Sequence, residues 1–232
     1  MKRESGWKKK TKEDIKAIFR FCESYKTFLD RAKTEREAVD AIAGRLRTRG
    51  FTEDPTQEKV LRVNKGKTIV ACVKGKSPLE DGLNIIAAHI DAPRLDLKQN
   101  PLYEDIDLAL LRTHYYGGIK KYQWVAIPLA LHGVIIKSDG RKVELALGEK
   151  DSDPVFAIDD LLPHLSRKVQ DEKKLSEAIE AEKLTVLFGS MPLTGTENES
   201  VKKGILKILK DKYGIIEEDF ISAELEIVPA FK

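Results

Sequence analysis

"LNIIAAHIDAP", residues 83–93, decides how this chain is read. A run of apolar residues leads into His89, one spacer, Asp91, and then Pro93. In a pleated strand residues i and i+2 share a face, so a strand here predicts a histidine and a carboxylate side by side at its end. The continuous apolar run predicts burial on both faces, as in the middle of a sheet covered by helices. The ends of such strands open into crevices where α/β proteins place reactive groups. A metal-binding histidine needs its far ring nitrogen held by a partner, and Asp91 suits that role or that of a direct ligand. Zinc takes three or four ligands, and no HExxH-type spacing accompanies the pair. The residues alone therefore leave open both a metal site and a plain polar strand end.

Before this stretch the pattern is helical. Thr11 with Asp14 has the spacing of a capping box, followed by Ile15, Ile18, Phe19, Cys22, Tyr25, Phe28 and Leu29 at steps of three and four. Thr34 with Glu37 repeats the signal for a second helix, which Gly50 is placed to stop. "KVLRVNKGKTIVACVKG" predicts two short strands turned at Asn64-Lys65-Gly66. After it the composition turns β-rich. Ser138-Asp139-Gly140 predicts a hairpin turn, with Val143, Leu145 and Leu147 alternating beyond it. A helical segment near "EKKLSEAIEAEK", a strand "KLTVLFG", a helix carrying Ile205, Leu206, Ile208 and Leu209, and a strand-like "DFISAELEIVPAFK" complete the chain.

The bulk properties exclude several functions. The formal net charge of +3, with acids and bases nearly balanced, argues against a nucleic-acid surface. No apolar run is long enough for a membrane span, and "MKRESGWKKK" lacks the apolar core of a signal peptide, so a cytoplasmic protein with no membrane partner is expected. Cys22 and Cys72 each sit in an apolar stretch, and buried free thiols are expected. "VKGKS" lacks the first glycine of a phosphate loop, and no GxSxG elbow occurs. Among the other histidines, His132 in "ALHGV" reads as a structural residue, while His114 lies beside aromatic residues and glycines.

"NIIAAHIDAPRLDLKQNP" (84–101), "YYGG" (115–118) with Trp124, "LLPHLSR" (161–167) and "DFISAELEIVPA" (219–230) together resemble the M18 family of metallo-aminopeptidases, the aspartyl aminopeptidase group. The likeness runs in order along the whole chain. It implies an α/β fold with a mixed sheet flanked by helices, a zinc-exopeptidase-like catalytic domain that is partial here. Residues 1–97 and 219–232 would form that domain, and 98–218 an inserted β-rich dimerisation and lid domain. It implies removal of N-terminal residues, often acidic ones, from peptide substrates. Two Zn2+ ions, or other divalent metals, would polarise the scissile carbonyl and activate water.

Carried over residue by residue, His89 is implied as a metal ligand and Asp91 as the catalytic-site carboxylate that orients it. His164 is implied to reach the substrate site of a neighbouring subunit. The resemblance also implies a homo-oligomer built from dimers. Family members are about twice this length, and their remaining metal ligands and glutamate base lie beyond the segment matching "AELEIVPA". The sequence is therefore read as the N-terminal half of such an enzyme, inactive and unstable as a lone monomer. A missing segment or a second polypeptide would supply the rest. The competing expectation is a non-catalytic assembly or regulatory protein derived from the same fold by truncation.

Overall fold

The computed structural model describes residues 3–231. Met1, Lys2 and Lys232, which the expected domain ranges include, lie outside the described residues. Two compact units result, the first running through Asp91 and the second spanning Ala92–Phe231.

The first unit opens with a 3-10 turn, Gly6–Lys9, and two helices, α1 (Lys12–Arg31) and α2 (Glu35–Arg47). Both expected capping boxes form. Asp14 N–H donates to Thr11 Oγ1 at 3.1 Å while the Asp14 carboxylate accepts from Thr11 N–H at 2.9 Å. Glu37 accepts from Thr34 N–H at 3.0 Å, and its own N–H donates back to Thr34 Oγ1 at 3.3 Å. Each box satisfies two backbone donors that a helix start leaves orphaned. Strands β1 (Lys59–Asn64) and β2 (Thr68–Val73) pair antiparallel about the expected turn, where Lys65 and Gly66 take φ of 51° and 68°. That left-handed pair matches the twist of a tight hairpin. Arg36 Nη1 donates to the Lys65 carbonyl at 3.0 Å, which ties the turn to α2.

Two expectations fail in this unit. Residues 83–93 form no strand, and Ile86 is 99% exposed rather than buried on both faces. The reason is pairing. A strand exists only where neighbouring backbone takes its N–H and C=O groups, and among the described residues β1 and β2 pair with each other and not with this segment. Cys22 and Cys72 are likewise exposed, not buried. Cys22 lies on α1, which buries none of its residues, and Cys72 on β2, whose side chains are mostly exposed.

The second unit is a six-stranded antiparallel sheet of β3 (Arg94–Asp105), β4 (Leu108–Tyr116), β5 (Leu129–Ile136), β6 (Lys142–Leu147), β7 (Val186–Gly189) and β8 (Ala223–Pro229). Its spatial order is β6-β5-β8-β3-β4-β7. One-turn helices α3 (Pro163–Ser166) and α4 (Leu175–Ala178) and the longer α5 (Ser200–Tyr213) decorate it. Strand register places Leu147, Leu131, Ile227 and Leu95 in one row across four strands, each at most 2% exposed. Burying such a side chain contributes about 1.5–3 kcal/mol, so this row anchors the sheet. Helix α5 packs on β3, β4 and β7 over the same core, with Val201 and Leu209 buried.

The hairpin at Ser138-Asp139-Gly140 forms as expected, with Leu145 and Leu147 inward. The helix expected near "EKKLSEAIEAEK" shrinks to α4 and a 3-10 turn at Ala181–Lys183. The two compact units divide at 91/92. The segment expected to rejoin the first domain is β8, which pairs with β5 over its whole length and with β3 beyond it.

Candidate metal centre

His89 and Asp91 meet, although no strand brings them together. His89 Nδ1 lies 3.2 Å from an Asp91 carboxylate oxygen and 3.1 Å from the Asp91 carbonyl oxygen. Both oxygens accept, so the tautomer that fits carries its proton on Nδ1 and leaves the Nε2 lone pair facing outward. A carboxylate holding a histidine in this way fixes the ring and raises the basicity of the other nitrogen, which is what a metal ligand requires. The pair sits in the first unit, beside a groove of about 590 Å³ lined by α2, β2 and residues 86–91.

The donor set around that groove is incomplete for zinc. Its other lining side chains, such as Ile42, Leu46, Lys67, Thr68 and Ala71, include no second imidazole, thiolate or carboxylate. A zinc centre takes at least three protein ligands. These residues supply one ring nitrogen, with a carboxylate already engaged by the same ring, and do not by themselves fit the ion.

The remaining histidines lie in the second unit. His132 is 4% exposed, and its Nε2 is 2.9 Å from Glu149, which is the structural role expected of it. His114 Nδ1 faces Glu182 at 3.4 Å and its ring stacks on Tyr115. A hydrogen bond from the Lys98 ammonium holds the Glu182 carboxyl below its ordinary value. His164 stands exposed on α3 between Leu162 and Leu165, themselves exposed. The turn under it is pinned by Ser166, whose hydroxyl donates to Asp171 at 2.8 Å.

One cluster escaped the sequence reading. Arg94, 7% exposed, places Nε 2.7 Å from Asp96 and 3.2 Å from Glu226, with its guanidinium 3.9 Å from the Tyr116 ring centroid. The signal was legible in part, as an arginine two residues before an aspartate in "APRLD". Glu226, the partner across the sheet, needed the register.

The chain superposes on two crystal structures of aminopeptidases. The M18 family aminopeptidase of Thermotoga maritima has a TM-score of 0.90 at 48% identity, with 100% of this chain and 51% of that one covered. Aminopeptidase I of Borrelia burgdorferi B31 has a TM-score of 0.85 at 37% identity, covering 99% and 53%. In class, this is an α/β chain with the architecture of those peptidases. A Clostridium acetobutylicum protein named "Probable M18 family aminopeptidase 1" is 51% identical over 239 residues, covering 98% of this chain and 51% of its own length. The profile of the family described as aminopeptidase I zinc metalloprotease (M18) matches residues 28–232. The chain belongs to the M18 family, and it spans about half the length of the curated relatives it matches.

Proposed function

We propose that this chain contributes the first metal ligand of a zinc-dependent aminopeptidase, with His89 as the ligand and Asp91 as the carboxylate that orients it. The observation that carries this reading is the 3.2 Å contact between His89 Nδ1 and Asp91. It sets the ring as a metal ligand is set, in a chain of a family described as zinc metalloproteases. Peptides lose N-terminal residues, acidic ones among them, in a cytoplasmic enzyme with two metal ions per complete site. The remaining ligands and the general base are not assigned to any described residue, so the chain by itself is inactive.

Residues 1–97 and 219–232 belong to the catalytic part, and 98–218 carry the dimerisation and lid role. The exposed Leu161, Leu162 and Leu165 around His164 support that role. In a homo-oligomer built from dimers, this apolar turn is an interface and His164 serves a neighbouring subunit's substrate. The incomplete donor set favours a second reading, a non-catalytic assembly protein that kept only the motif.

One experiment separates the two. The protein is purified from its source, its mass and metal content are read by native mass spectrometry, and release of N-terminal residues from peptides is assayed on the same sample. Zinc-dependent release that His89→Ala abolishes supports the peptidase. A metal-free homo-oligomer with no release leaves the assembly protein.

A further inference from the structure

Helices α1 and α2 enclose a groove of about 580 Å³. From α1 it takes Ser24, Phe28 and Arg31, whose steps of four and three put them on one face of that helix. From α2 and the turn after it come Ala41, Arg45 and Arg49. Phe28 and Ala41 are half-buried, while the three arginines are exposed. Among the described residues no carboxylate lines the groove.

Helix ends account for part of this. Arg31 sits in the last turn of α1 and Arg45 in the last turn of α2, where positive charge complements the partial negative charge of the terminal carbonyls. Arg49 Nη1 donates to the Arg45 carbonyl at 3.3 Å. That role does not require the charges to converge on one concave surface. Arg47, in the same last turn of α2, meets Glu53 at 3.0 Å, and on α1 Lys26 meets Glu23 at 3.0 Å. Arg31, Arg45 and Arg49 form no ion pair among the described residues, although like charges held close together repel.

A ligand with several anionic oxygens relieves that repulsion. A guanidinium keeps its charge and donates through a planar fork that matches carboxylate or phosphate oxygens in pairs. One carboxylate offers two oxygens and a single charge, enough for one fork. A phosphate ester carries close to two charges on three oxygens, and linked phosphates present enough oxygens for three forks. The Ser24 hydroxyl adds a further donor. The groove is many times the roughly 30 Å³ that a water molecule occupies in the liquid, so two or three linked phosphates fit. We propose that this groove binds the polyphosphate group of a small molecule, with Arg31, Arg45 and Arg49 as its donors. The site uses neither His89 nor Asp91, so it stands or falls apart from the peptidase reading.

Calorimetry on the full 232-residue chain tests this with sodium pyrophosphate, with ADP and with citrate as a polycarboxylate. Salt is held at about 0.15 M, where exposed charges more than about 8 Å apart are largely screened. The expected result is saturable binding of pyrophosphate and ADP in competition for one site, with citrate at least about tenfold weaker. Arg31→Gln and Arg45→Gln each lower pyrophosphate affinity at least about tenfold, the loss that goes with a hydrogen bond to a charged group. Arg45→Lys, which keeps the charge and loses the fork, falls between the parent chain and Arg45→Gln. Arg20→Gln, exposed on α1 outside the groove, leaves the affinity unchanged. Tighter binding of ADP assigns the site to an organic phosphate whose body lies along the groove, and tighter binding of pyrophosphate assigns it to the free ion.

Heats that never saturate overturn the inference. So does citrate bound as tightly as pyrophosphate, or a loss in Arg20→Gln equal to that in the groove variants, since either shows attraction to charge alone. The substituted arginines are exposed, so the helices persist in every variant, and circular dichroism on the same samples verifies it.

Discussion

His89 Nδ1 stands 3.2 Å from the Asp91 carboxylate while the His89 side chain remains 85% exposed. An exposed imidazole held from behind is free to take a ligand on its far side, so the contact matters for orientation more than for stability. Asp91→Asn keeps the size and removes the charge that supports the Nδ1–H tautomer. Zinc affinity of the metal-loaded assembly is expected to fall about 10–100-fold, with the thermal midpoint of the metal-free chain little changed. Calorimetry and differential scanning on the same variant check both halves, and an unaltered zinc affinity would remove Asp91 from the site.

Gly133, in the middle of β5, lies directly against β8. Its φ is 135°, and a Cβ there would come within 2.0 Å of the Glu224 carbonyl oxygen. Backbone strain and collision act together, so Gly133→Ala is expected to cost about 3 kcal/mol or more. A large drop in the urea midpoint, or insoluble protein, is the expected outcome. A midpoint equal to that of the parent would show that β5 and β8 are not paired as described.

The turn between β3 and β4 holds Ile106 and Asp107 at φ of 48° and 58°. A β-branched residue is costly in the left-handed region, by about 1–2 kcal/mol, and Ile106 is 86% exposed, so its side chain gains little from packing. Asparagine suits the first position of this hairpin turn. Ile106→Asn is expected to stabilise the chain by about 1 kcal/mol, read as a higher thermal midpoint.

The Asp153–Lys212 ion pair is expected to lose its contribution to stability in acid. Burial pushes the Asp153 carboxyl up, but hydrogen bonds from the Lys212 ammonium and from the Lys150 and Gly148 N–H groups outweigh that and hold it below its ordinary value. A depressed folded value contributes stability above the unfolded value of about 3.9, and that contribution is lost as pH falls through the folded value. Asp153→Asn is expected to lower the thermal midpoint at pH 7 and to approach the parent protein only as pH falls below about 4 toward the depressed folded value. Parallel midpoint curves across that window would exclude the ion pair as the cause.

The chain's local sequence determined the features that depend on a few neighbouring residues. Both capping boxes, the Asn64-Lys65-Gly66 turn and the Ser138-Asp139-Gly140 hairpin formed where the sequence put them, because caps and turns close within three to five residues. The contact of His89 with Asp91 also followed from their spacing, even though the strand expected to create it is absent. What the tertiary structure decided depends on partners distant in sequence. It left residues 83–93 outside any strand, because an apolar run becomes a buried strand only when other strands lie beside it. It drew β8 into a sheet with β3 and β5 and set Arg94 beside Glu226, more than a hundred positions apart. Register between strands is fixed by the matching of whole faces, and no single segment of sequence contains that information.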